Sequence, residues 1–198
     1  MVWIALVASY LLGAVPFGYL VHRRLTGRDI RGEGSGNIGA TNVARVAGKA
    51  AGAVTLLLDA GKGYLGVMLM SLAARGQGGE REWMSAAAVA VLLGHMFPVF
   101  LRFRGGKGVA AALGAFGALA PWAVVQVLVV FAAVLAIWRY VSLGSLAATT
   151  LFPVAQWYFY HPPPGATVGS ILAALLIIGK HSANLRRLLE GREPHFKL

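Results

Sequence analysis

Four short segments of this 198-residue chain carry side chains able to bind or move phosphate: GSGNIGATNVAR (34–45), FRGGKG (103–108), RYVSLGS (139–145) and GKHSANLRRL (179–188). In each, glycines bracket hydroxyl, amide or cationic groups, the combination that lets backbone N–H groups, Arg and Lys converge on phosphate oxygens. Together they are expected to form one anion site. His181 and Asn184, three residues apart, would share a helix face, where His181 could serve as a general base, a phosphate ligand or simply a helix-end histidine.

Two familiar phosphate motifs do not account for these segments. Gly34, Gly36 and Gly39 have the G-x-G-x-x-G spacing of a dinucleotide fingerprint, but that fingerprint needs a buried strand leading into it. The lead-in here, residues 1–21, is a charge-free apolar run long enough to cross a bilayer as a helix. Asp59 lies where a ribose-binding acid could sit, yet falls inside a second apolar run. The GGKG segment is not a P-loop, because Gly108 follows Lys107 and Leu101 stands where the first loop glycine belongs. Standing alone, it would read as a basic turn at a helix end. No H-x4-D pair exists: the fifth residues after His22, His95, His161 and His181 are Gly27, Phe100, Ala166 and Arg186, and His195 has too little chain after it.

The elements that must position these groups are membrane helices. The chain is 58% hydrophobic and 13% charged, against about 25% charged for a soluble domain. Apolar runs recur at about 52–74, 83–101, 109–138, 141–160 and 166–179. One integral membrane domain over 1–198 is expected, its first run a retained span rather than a signal peptide. The net charge of +11 is distributed as the positive-inside rule requires rather than as a nucleic-acid face. With the N-terminus outside, Arg23, Arg24, Arg28, Arg31, Arg45 and Lys49, then Arg102, Arg104 and Lys107, then Arg139, then Lys180, Arg186, Arg187, Arg192 and Lys197 all lie inside. Arg75 and Arg81 lie outside. Because both ends of 109–138 are basic, that run must turn back on itself, and Pro121 is the natural breaker. The expected fold is all-α and polytopic, with about seven transmembrane helices, some short or broken, N-terminus outside and C-terminus cytoplasmic.

Asp59 and Lys62 sit three residues apart inside the second run. Each costs roughly 2.5–3.5 kcal/mol at a bilayer centre, so both should face the interior, as a structural ion pair or as part of a site. His95 fits a packing role or a site role equally. Glycine, 26 of 198 residues, is in part what close helix packing in lipid demands. HPPPG at 161–165 reads as a stiff external link with His161 a surface histidine. The basic tail from Asn184 is amphipathic and should lie on the inner leaflet. Cysteine is absent, which excludes disulfides and thiolate chemistry.

The segments GSGNIGATNVAR, DAGKG, GHMFPVFLRFRGGKGVA, RYVSLGS and KHSANLRRLLEGRE resemble, in order and spacing over essentially the whole chain, the bacterial acyl-phosphate:glycerol-3-phosphate acyltransferase family (PlsY). The resemblance implies a multi-pass inner-membrane enzyme that moves a fatty acyl group from acyl phosphate to the 1-hydroxyl of sn-glycerol 3-phosphate, with its active site on the cytoplasmic side. It places Ser35, Arg45, Lys107, His181 and Asn184 at glycerol 3-phosphate and the reacting centre, and Thr41, Asn42 and Ser142 at the acyl-phosphate head group. Gly34, Gly36, Asn37, Arg104, Gly105 and Gly106 complete the substrate-binding set. One departure is Ser182, where the family pattern has a cation. No cofactor, metal or nucleic acid is expected, and the expected partners are the two substrates and membrane lipids around a monomer. A carrier for a phosphorylated lipid precursor is the rival class, but a carrier needs polar groups on a path to both faces, and these crowd one face.

Overall fold

The computed structural model describes residues 1–196, so Lys197 of the basic tail lies outside the described residues. The first apolar run is two helices, α1 (Val2–Ala14) and α2 (Phe17–Thr26), because Pro16 has no N–H to continue the ladder. α2 runs past the expected limit of the run, through Arg23 and Arg24, and ends where Gly27 takes a left-handed conformation (φ 73°). After the glycine-rich loop come α3 (Ala40–Ala47), the 26-residue α4 (Lys49–Ala74) and α5 (Glu80–Met96). α6 (Val109–Leu119), α7 (Pro121–Trp138), α8 (Val141–Tyr160), α9 (Pro164–Lys180) and α10 (Ser182–Leu189) complete the chain. Pro121 is the first residue of α7, which is where its fixed φ and missing N–H are tolerated.

Every described element is helical. Four stretches are long and apolar enough to cross a membrane: Val2–Thr26, Lys49–Ala74, Glu80–Leu101 and Pro121–Trp138. The pair α9 and α10, bent by 57°, adds a fifth. Large apolar side chains such as Trp3, Leu57, Leu65, Trp122 and Leu175 point outward, as lipid requires. Within the bundle, helices approach through small residues: a Cβ on Gly63 or Gly114 would lie 2.1 Å or 1.7 Å from a backbone oxygen of the facing helix. The main core joins α4 through α9 around Leu92, Phe116 and Phe152, whose aromatic rings are 4.6 Å apart. A separate cluster of Ile30, Ile38, Val43, Ala51 and Leu101 lies beneath the polar loops.

α6 has only 11 residues, about 16 Å of helix against a hydrocarbon core of roughly 30 Å. Its far end nevertheless turns beside Tyr160, the last residue of α8, whose hydroxyl accepts from the Trp122 N–H at 3.0 Å. The loop that starts α6 is therefore recessed. The tail also departs from a single surface helix. α10 stops at Leu189, and after Gly191 (φ 66°) the chain folds back until the Phe196 N–H reaches the Arg139 carbonyl at 2.7 Å.

Candidate active site

The glycine loop is built around Asn42. Its Oδ1 accepts the Ser35 N–H at 2.9 Å, and its Nδ2 donates to the carbonyls of Glu33 and Asn37 at 3.0 Å and 2.9 Å. Gly34 (φ 57°) packs on that amide so closely that a Cβ would sit 2.3 Å from Oδ1. Asn42 is thus buried inside the loop, while Ser35, Gly36 and Thr41 are exposed around it. Asn37 Oδ1 accepts the Gly39 N–H at 2.8 Å at the cap of α3. The loop leads directly into the N-terminus of α3, whose partial positive charge favours an anion. Arg45 is exposed on the last turn of the same helix.

The GGKG loop hangs from the end of α5. Gly105 N–H donates to the Met96 carbonyl at 3.2 Å and Gly106 N–H to the His95 carbonyl at 3.1 Å. These bonds turn Lys107 toward α10, where its Nζ donates to Asn184 Oδ1. Asn184 Nδ2 donates to Glu193 Oε1 at 2.6 Å, Ser142 Oγ to the same oxygen at 2.7 Å, and Arg187 Nε to Oε2 at 2.7 Å. An ammonium only donates and a carboxylate only accepts, so the Asn184 amide has a single possible orientation. His181, at the bend between α9 and α10, is buried and donates Nδ1–H to the Ile177 carbonyl at 2.8 Å. In the neutral ring this leaves Nε2 as the acceptor. Arg104 is exposed at the rim.

Lys107, Ser142 and Asn184 are therefore joined through one network, with His181 one turn from Asn184. No hydrogen bond among the described residues joins the glycine loop to it. Burial pushes the Lys107 ammonium down to about 8, Glu193 pulling the other way and the cations Arg187 and Arg45 adding repulsion. Burial opposes ionisation of Glu193, but hydrogen bonds from Ser142, Asn184 and Arg187 outweigh it and hold the carboxyl below its usual range. Glu193 is the centre of the network and sequence reasoning did not single it out. The one hint was an acid in a tail otherwise dominated by cations. In the sequence Arg187 is one cation among several in the basic tail.

Behind the network, an apolar cavity of about 210 Å³ opens between α6, α7, α8 and α9. Val109, Phe116, Phe131, Phe152 and Ile177 line it. Val109 is two residues from Lys107 and Ile177 four from His181, so the cavity begins where the polar network ends.

A family model described as glycerol-3-phosphate acyltransferase matches residues 3–191. A protein of that name from Syntrophotalea carbinolica is 45% identical over 98% of this chain and 97% of its own. One from Anaeromyxobacter sp. (strain K) is 44% identical over 94% and 92%. The fold is similar to crystal structures of PlsY, an integral membrane glycerol 3-phosphate acyltransferase. The glycerol 3-phosphate form gives a TM-score of 0.91 at 36% identity over 99% of this chain and 96% of that one. The lysophosphatidic acid form gives 0.86 at 34% identity, over 99% and 95%.

Proposed function

Because this chain belongs to the glycerol-3-phosphate acyltransferase family, we propose that it transfers a fatty acyl group from acyl phosphate to the 1-hydroxyl of sn-glycerol 3-phosphate, giving lysophosphatidic acid and inorganic phosphate. The observation that carries this reading is the junction of a cationic, hydrogen-bonding network with an apolar cavity. Phosphate groups engage Lys107, Arg45 and the N-terminus of α3 to which the glycine loop leads, and the acyl tail enters the cavity. Asn42 acts through the loop that it holds rather than by touching ligand.

The donor is a mixed anhydride, so phosphate leaves with little acid assistance, and the protein's task is placement and charge stabilisation. The acceptor oxygen bonds to the acyl carbon, the acyl carbon–oxygen bond to phosphate breaks, and the hydroxyl proton passes to the departing phosphate. His181 is oriented by a backbone carbonyl rather than by a hydrogen-bonded carboxylate, and its burial disfavours the charged ring. Transfer is direct. With palmitoyl phosphate alone, mass spectrometry should find Ser35 unmodified, and phosphate release should await glycerol 3-phosphate. A stoichiometric acyl adduct on Ser35 that disappears when acceptor is added would show a covalent route instead.

The enzyme is a multi-pass membrane protein, proposed to act as a single domain and a monomer in the bacterial inner membrane, with seven spans, N-terminus outside and the site cytoplasmic. The polar network is at one end of the bundle; Arg75 and Arg81 are at the other, where Ser71 donates to Glu80 and Ser85 to the Ala166 carbonyl. The chain has no cysteine, so single cysteines report cleanly. Gln77→Cys should react with an impermeant maleimide in intact cells, and Arg28→Cys and Arg192→Cys only after permeabilisation. Labelling at position 192 from outside would overturn the topology.

A further inference from the structure

Three ionisable side chains, Asp59, Lys62 and His95, meet inside the bundle, each at most 3% exposed. Asp59 Oδ1 is 2.9 Å from Lys62 Nζ and 3.6 Å from His95 Nδ1. Lys62 also donates to the Val15 carbonyl at 2.7 Å, at the break where Pro16 separates α1 from α2. Charged groups are expensive at membrane depth, and one ion pair would already cancel the net charge. The cluster goes further and ties three helices at defined points.

Each end of the cluster leads to a loop of the site. Toward α2, the fixed Val15 carbonyl sets where that helix begins, and α2 seats the glycine loop. A Cβ on Gly18 would lie 1.8 Å from the Ile38 carbonyl oxygen, and His22 faces Glu33 at 3.6 Å. Toward α5, His95 carries the GGKG loop. Its carbonyl takes the Gly106 N–H, and its ring fills the space beneath Gly106, where a Cβ would come within 2.2 Å of Nε2. The residue after Gly106 is Lys107. Apolar packing alone lets helices slide by small amounts, whereas any slide here would draw Lys62 from the Val15 carbonyl or part Asp59 from the cation and imidazole it faces, leaving a buried charge uncompensated.

We propose that the Asp59–Lys62–His95 cluster fixes the separation of the two phosphate-binding loops, and that His95 is a positioning residue for Lys107. The inference rests on the reading of those loops as the substrate site. His95→Leu removes the polar ring, and His95→Asn keeps an N–H donor near the Nδ1 position. In purified protein, His95→Leu should raise KM for glycerol 3-phosphate on the order of 10- to 100-fold, the scale expected for a displacement of about 1 Å. His95→Asn should recover most of this. Gly106→Ala, which drives a Cβ into the ring, should raise KM in the wild type and add little in a His95→Ala background, the non-additivity expected of two residues in contact. Without substrate, hydrogen exchange at the Gly105 and Gly106 amides should quicken in His95→Leu and not in His95→Asn.

A merely structural histidine would lower yield or melting temperature and leave KM unchanged in the protein that folds. A wild-type KM in His95→Leu overturns the proposal. Wild-type protein that neither binds nor acylates glycerol 3-phosphate overturns the functional reading instead, and the exchange rates then decide the positioning role alone: unchanged rates in His95→Leu defeat it.

Discussion

Lys107→Met should lose activity by about 10²- to 10³-fold or more while remaining folded in detergent, the scale seen when one preorganised donor is removed from a water-excluded site. Methionine keeps the length and flexibility of lysine and removes only the charge and its donors. Folding should survive, because burial already disfavours the Lys107 ammonium; the loss is confined to the Asn184 Oδ1 acceptor that the lysine satisfied. The same geometry sets a pH dependence. The wild-type ammonium loses its proton as pH rises through about 8, so kcat/KM, which reports the free enzyme, should fall on the alkaline side from there. Lys107→Met should abolish that limb in its residual activity. Near-normal turnover in the variant would reduce the GGKG loop to a basic turn.

The helices were legible because a bilayer allows few alternatives. A spanning segment must be apolar and helical, and a run with basic residues at both ends must double back, so the sequence itself marks Pro121 as the break. The break at Pro16 was missed although the chemistry is the same. The first run is short enough to cross once, and nothing in its charge pattern demanded an interruption. The polar segments were legible as a group because glycine next to Ser, Asn and Lys is conspicuous between apolar runs.

What stayed hidden was pairing across distance. Asp59 and Lys62 announce themselves as an i, i+3 pair, but that His95, 36 residues on, completes the cluster depends on how α4 and α5 cross. Glu193 was hidden for a related reason. The amphipathic pattern of the tail continues beyond Leu189, and only the turn at Gly191 brings the carboxylate back onto Ser142, Asn184 and Arg187. The inward direction of Asn42 was equally unreadable, since an amide in a glycine loop can face ligand or backbone with the same sequence.

The proposed donor is acyl phosphate rather than acyl-coenzyme A. A coenzyme A thioester brings an adenine, a ribose phosphate and a pantetheine arm, and these need a folded surface at the mouth of the site. Among the described residues that end of the bundle offers two glycine-rich loops, short helices and a tail already pinned to Arg139 and Ser142. A thioester also carries no phosphate oxygen to take the hydroxyl proton, and no carboxylate–histidine pair stands at His181 to replace it. The decisive measurement is lysophosphatidate formation by purified protein from glycerol 3-phosphate with palmitoyl phosphate or palmitoyl-coenzyme A at matched concentrations. Product from palmitoyl phosphate, equimolar with released phosphate, and little or none from the thioester is the expected result; comparable rates with both donors would contradict it.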